Sequence, residues 1–269
     1  MKNRIDEKFK QLKAENRGGF IPFIVAGDPN LDATRDLILE LSKQGAGVIE
    51  LGVPFSDPVA DGVTIQASAE RALQNPISVK NILQTVAEVR AAQCETPVIL
   101  FSYFNPILQF GLHRFAEEAV KSGVDGVLVT DLVPEEAEEF RLILAEKDLV
   151  LVMLAAPTSS DERLRKICGK ASGFVYAVSR AGVTGARNET SNDAENLVQR
   201  LRKFTILPVA VGFGISNAAQ VADTWKYADA AVVGSAIVAE MMRLTPNPKE
   251  VPADFVEKIG KFSRALLPD

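Results

Sequence analysis

Cysteine, histidine and long apolar runs are scarce in this 269-residue chain, and each scarcity removes a class of function. Cys94 and Cys168 lie far apart, each within or near a helical pattern, so neither a disulfide framework nor a thiolate metal cluster is expected. A reducing cytoplasm fits two such cysteines. His113 is the single histidine, which rules out a histidine-rich metal site and argues against a Ser-His-Asp triad. It follows Phe110-Gly111-Leu112 at an expected helix start, a structural position more than a catalytic one. No stretch approaches the roughly 18 apolar residues of a membrane span, and the charged N-terminus, Met1 to Lys8, lacks the apolar core of a signal segment. The formal net charge of −5 gives no general attraction for phosphate backbones or anionic membranes. Neither nucleic acid nor membrane is therefore an expected partner. A Ser/Gly-rich or Pro-rich linker is also missing, so a chain with 47% hydrophobic and 24% charged residues is expected to form one domain across residues 1–269.

What the chain does have is a loose repeat of an amphipathic helix, a Gly- or Asp-containing corner and a short continuous apolar run. Eight such runs fall at 20–26, 45–50, 97–102, 123–131, 149–154, 172–179, 207–213 and 228–234. Apolar runs without polar alternation suit parallel strands buried on both faces. Helical periods lie between them, as in Val79, Ile82, Leu83, Val86 and Val89, or in Ala137, Phe140, Ile143 and Leu144 behind Pro134-Glu135-Glu136, where a proline followed by acids suits a first turn. Eight βα units without an evident edge strand point to a closed (β/α)8 TIM barrel with extra helices near 3–15 and 250–266. An open doubly wound sheet is the runner-up.

In such barrels the loops that follow the strands build the site. Glu50 ends an apolar run with its carboxylate expected in the barrel mouth, where loss of water favours the protonated form. Asp61 sits eleven positions later in the turn-prone Ala60-Asp61-Gly62. Two carboxylates in different surroundings are what proton transfer requires, although Glu50 also fits a strand cap and Asp61 a local Asx-type turn. Gly212 to Ser216 after the seventh run and Gly234-Ser235 after the eighth each open a helix, and free amides there suit a phosphate. The segment Ser179 to Arg187 has the small residues of a mobile lid or of an ordinary surface loop. No lysine occupies any of the eight runs, which counts against a strand-borne Schiff-base aldolase.

Four segments carry a family resemblance: Pro22 to Pro29, Glu50 to Pro58 with Ala60-Asp61-Gly62, Ser179 to Gly185, and Gly212 to Ser216. In the same order and spacing, from about residue 5 to 265, the chain resembles the tryptophan synthase alpha chain. That resemblance implies a carbon-carbon lyase of tryptophan biosynthesis that cleaves indole-3-glycerol phosphate to indole and glyceraldehyde 3-phosphate. Carried over by motif, Glu50 is the acid/base and Asp61 the partner of the indole nitrogen. Phe23, Phe101, Tyr176, Thr184 and Phe213 would bind the substrate, and Gly185, Gly214, Gly234 and Ser235 its phosphate. It implies no cofactor and no metal in this chain. Pyridoxal phosphate would belong to a partner beta chain, the two forming an alpha2-beta2 heterotetramer.

The chain departs from the family pattern at Phe101, often leucine, Val25, often threonine, and Val63, often proline. Other readings are a different phosphate-binding barrel, such as an isomerase or indole-3-glycerol phosphate synthase, or a mainly non-catalytic interaction subunit. In the last, the 54–61 loop and Tyr103 to Pro106 would be contact surfaces.

Overall fold

The structure, a computed structural model, describes residues 3–178, 190–212 and 214–268. Among them, eight parallel strands close into a barrel: β1 (Gly19–Val25), β2 (Ile49–Gly52), β3 (Val98–Ser102), β4 (Gly126–Val129), β5 (Val150–Ala155), β6 (Val175–Val178), β7 (Val209–Gly212) and β8 (Ala230–Val233). Each pairs with its neighbour in sequence, and β8 returns to β1. Pro22 has no N–H for a ladder. It sits where β1 changes from pairing with β8 (Gly19 to Pro22) to pairing with β2 (Phe23 to Val25).

The helices are α1 (Arg4–Ala14), α2 (Leu31–Lys43), α3 (Val63–Ala72), α4 (Val79–Ala91), α5 (Phe104–Phe110) and α6 (Leu112–Ser122) in the first half. In the second half they are α7 (Glu138–Ala145), α8 (Asp161–Lys170), α9 (Thr190–Leu201), α10 (Ala218–Thr224), α11 (Ser235–Leu244) and α12 (Phe255–Ala265). The barrel expected from the eight runs is thus present, together with the N- and C-terminal helices. Two local expectations need correction. The run at 45–50 is not all strand: Gly45 to Val48 form the corner, and β2 continues past Glu50 to Gly52, so Glu50 lies within the strand. Pro134 begins a separate turn, and its helix starts only at Glu138.

Alternation along each strand divides the apolar residues into two cores. Ile24, Leu51, Leu100, Val127, Leu151, Val175, Val211 and Val233 face outward to the helix layer. Ile21, Phe23, Ile99, Leu128, Val152, Phe174, Tyr176, Ala210 and Val232 fill the interior. Ile5, Phe9 and Leu12 of α1 join the interior cluster, and Phe9 meets Phe174 at a ring separation of 5.6 Å, so this helix closes the barrel floor. Asn3 caps α1 by accepting from the Ile5 amide and donates to the Asp125 and Asp148 carbonyls.

Asp125 fixes the same end. Its carboxylate, 3% exposed, accepts from Arg90 Nη2 at 2.8 Å, Arg4 Nη1 at 3.0 Å and the Val98 amide at 2.8 Å. The cluster ties α1, α4, β3 and the corner before β4 into one unit. Asp125→Ala is expected to lower unfolding free energy by about 2–4 kcal/mol, short of the top of the range for broken buried pairs because Arg90 keeps carbonyl acceptors. A urea titration reads this directly; an unchanged midpoint would mean that packing alone holds this end.

Candidate active site

Glu50 is the second residue of β2, in register with Phe23 on one side and Ile99 on the other. Both of those neighbours belong to the interior cluster, so the same alternation turns the Glu50 side chain inward. The residue is 1% exposed, and neither carboxyl oxygen has a hydrogen-bond partner among the described residues. A buried carboxyl without donors cannot easily hold charge, and burial raises its pKa well above the ordinary 4.5. The expectation that loss of water favours the protonated form is met, and a role for Glu50 as a strand cap or salt-bridge partner has no counterpart among the described residues.

The walls around this carboxyl are aromatic. Phe23 and Phe101 meet edge-on with ring centroids 5.2 Å apart. Their fit depends on a missing side chain: a Cβ at Gly52 would come within 2.7 Å of Phe23 Cζ. Across the barrel the same device serves Tyr176, because a Cβ at Gly212 would lie 1.9 Å from its hydroxyl. Burial and the nearby Glu50 raise the Tyr176 pKa well above its ordinary 10, so this hydroxyl keeps its proton. Gly212, the last residue of β7 and the start of the expected phosphate loop, thus also leaves room for Tyr176.

Asp61 reaches the mouth from the loop between β2 and α3. Gln66, one turn into α3, donates to the Asp61 carbonyl at 2.8 Å and to the Pro58 carbonyl at 3.3 Å, stapling the loop to its helix. The Tyr103 hydroxyl accepts from the Ala60 amide at 2.8 Å and bonds the Asp61 side chain. Burial raises the Asp61 pKa to about 6, with Tyr103 pulling against that rise. Tyr103 itself is only 3% exposed, which corrects its reading as contact surface: its hydroxyl faces Asp61. Sequence gave no local signal for this role, because Tyr103 meets Asp61 only when β3 is laid beside β2.

Gly214, Gly234 and Ser235 follow β7 and β8 on the same rim, and Ser235 opens α11. Gly234 packs close to Phe23, with an added Cβ 3.4 Å from that side chain. Thr184, Gly185 and Phe213, together with the 179–187 segment as a candidate lid, lie outside the described residues. Among the described residues no group of three or more His, Cys, Asp or Glu is gathered as metal ligands. No helix there is long and apolar enough to cross a membrane.

The raised carboxyls make stability depend on pH with a definite sign. Below the ordinary values of 3.8 and 4.5, Asp61 and Glu50 are protonated in both folded and unfolded chain, and neither opposes folding. As pH rises the unfolded chain ionises first, so stability falls through about pH 6 for Asp61 and, for Glu50, through a pH well above 4.5. The unfolding free energy of Glu50→Gln relative to the parent chain should therefore climb with pH above 4.5, starting from its value near pH 4. Urea titrations across pH 4–9 measure it, and a difference that stays flat would contradict the burial of an ionisable Glu50.

Comparison with known proteins agrees with this geometry. The family model for the tryptophan synthase alpha chain matches residues 9–266. The tryptophan synthase alpha chain of Geotalea daltonii is 49% identical over 88% of this chain and 89% of its own length. That of Prochlorococcus marinus is 44% identical over 98% and 92%. Among solved structures, the alpha subunit from Legionella pneumophila superposes with a TM-score of 0.89 at 35% identity, covering 99% of this chain and 97% of that one. A chain from the tryptophan synthase α2β2 complex of Pyrococcus furiosus does so with 0.84 at 42%, covering 93% and 97%. With its buried inward glutamate, its aromatic walls and these relatives across nearly its whole length, the chain belongs to the tryptophan synthase alpha chain family.

Proposed function

We propose that this chain, as one barrel domain, cleaves indole-3-glycerol phosphate to indole and glyceraldehyde 3-phosphate. The observation that carries the reading is Glu50, a buried carboxyl without a hydrogen-bond partner among the described residues and with its pKa raised by burial, inside an aromatic-walled barrel whose mouth holds a second carboxyl group, Asp61. Breaking the bond between indole C3 and the glycerol carbon needs an electron sink, and the ring becomes one once C3 is protonated. Glu50 gives its proton to C3. Positive charge then develops at the ring nitrogen, where the Asp61 carboxylate, its pKa raised to about 6, stabilises it. The Glu50 carboxylate next takes the proton of the adjacent glycerol hydroxyl. The carbon-carbon bond breaks, its electrons restore the aromatic ring, and the oxygen-bearing carbon leaves as an aldehyde. Glu50 ends protonated again, carrying the proton that came from the hydroxyl, while its first proton stays on C3 of the indole.

Phe23, Phe101, Tyr176 and Phe213 hold the indole, with Thr184 beside it, while Gly185, Gly214, Gly234 and Ser235 receive the phosphate at the N-terminus of α11. The bulk of Phe101 narrows the pocket relative to the usual leucine, and Val63 in place of proline leaves the Asp61 loop its staple through Gln66. The indole passes to a beta chain in an alpha2-beta2 assembly of the cytoplasm, and pyridoxal phosphate belongs to that partner.

Indole release from indole-3-glycerol phosphate by the purified chain, with and without a beta chain, tests the reading. Glu50→Gln and Asp61→Asn are each expected to reduce it by about 10²-fold or more, the usual scale for a lost proton-transfer group. Absence of release under both conditions would return the chain to another phosphate-binding barrel or an interaction subunit. Tyr103→Phe removes the hydrogen bond that favours the Asp61 carboxylate, so the acid limb of the cleavage profile should move to higher pH. A limb that stays in place would remove Tyr103 from the site.

A further inference from the structure

Asp28 is fully buried at the turn after β1, and the cleavage chemistry makes no use of it. Its two carboxyl oxygens are occupied from one helix. Ser68 Oγ of α3 donates to Oδ2 at 2.5 Å, and Arg71, one turn further on, donates to Oδ1 from Nε at 3.0 Å, with Nη2 in ion-pair range of the same oxygen at 3.0 Å. Arg71 Nη2 continues to Thr245 Oγ1 at 2.8 Å. Thr245 is buried at the C-terminal end of α11 and returns a hydrogen bond to the Met241 carbonyl. Asn75, beyond the end of α3, donates to the Gly27 and Pro29 carbonyls on either side of Asp28. One carboxylate thus joins three elements, each of which supplies something to the mouth. β1 supplies Phe23, α3 follows the loop of Asp61, and α11 begins at Gly234-Ser235.

We propose that Asp28, Ser68, Arg71 and Thr245 are positioning residues that hold α3 against α11 so that the Asp61 carboxylate stands at the indole nitrogen while the substrate's phosphate sits on α11. The proposal rests on the assignment of Asp61 above. Three of the four side chains are fully buried and Arg71 is 13% exposed, so they act through the helix rather than on substrate. The lever is short. α3 has ten residues, about 15 Å, with the Gln66 staple to the Asp61 loop in its first half and the Asp28 grip in its second. A helix this short transmits a shift at one end to the other. The phosphate and the indole are joined by a chain of only three carbons, which limits how far one can move from the other, so misplacing α3 relative to α11 weakens the contact at the indole nitrogen even when both half-sites are intact.

The experiment is a double-mutant cycle on the affinity of an uncleavable indole-3-alkyl phosphate, measured by calorimetry, which needs no turnover. Thr245→Val severs the link from Arg71 to α11, along with the hydroxyl's bond to the Met241 carbonyl within that helix, and Ser68→Ala loosens Asp28 on α3; both avoid stranding the buried charge. Each is combined with Asp61→Asn, and glycerol 3-phosphate serves as a ligand without the indole. With Asp61 present, each variant is expected to weaken the indole phosphate by about 3- to 10-fold, and in the Asp61→Asn background the loss should disappear, as for residues that act through one another. Binding of glycerol 3-phosphate should stay unchanged. Equal losses with and without Asp61, or no loss in either variant, would overturn the proposal. Failure of the parent assignment would look different: Asp61→Asn alone would leave both indole phosphate affinity and indole release at parental levels, and the positioning role would fall with it.

Discussion

An inward-facing side chain on a closed parallel barrel has no lateral route to water, and Glu50 holds such a position. Eight strands paired in sequence order leave the helices no face to share with the interior except at the two ends. The carboxyl must therefore be neutral or find a charged partner. None of the described residues supplies one, and its proton is held by its surroundings rather than by a neighbour. Much of the site follows from that constraint. A carboxyl kept in an apolar cage still holds its proton when a polarisable ring is placed against it, and its raised pKa makes it take up a proton readily once it has given the first away. Asp61 completes the pair by being less confined, with its pKa raised to about 6 and a Tyr103 hydrogen bond that favours its charged form.

The pocket is shaped as much by omitted atoms as by those present. Phe23 occupies the space that a Cβ at Gly52 would take, and Tyr176 the space beside Gly212. These exchanges run between neighbouring strands, β1 with β2 and β6 with β7, so a bulky ring on one strand is matched by its absence on the next. Such matched volumes keep an interior full of aromatic residues at ordinary packing density.

Much of this was legible in the sequence, and the remainder shares a cause. Strands buried on both faces lose polar alternation, so β1, β3 and β5 are visible as continuous runs within a residue or so of their ends. The same rule overextends at Gly45 to Val48, where a corner is apolar because it packs under α1 rather than because it is strand: an added Cβ at Gly47 would meet Leu12. Glu50 and Asp61 stood out because an acid at the end of an apolar run and an acid in a glycine turn are local signals. Tyr103, the second use of Gly212 and the grip of Asp28 on Ser68 and Arg71 are not local. Each joins residues brought together only by strand order or helix packing, and no spacing rule along the chain marks them.

The floor built by Ile5, Phe9 and Leu12 has a consequence for traffic. With that end packed by side chains and pinned through Asn3, Arg4 and Asp125, the described residues leave no passage through the floor. Whatever enters by the rim where the strands end must leave by the same rim. Substrate and both products then form a queue at a single door, and a subunit that covers this rim decides the order in which they pass.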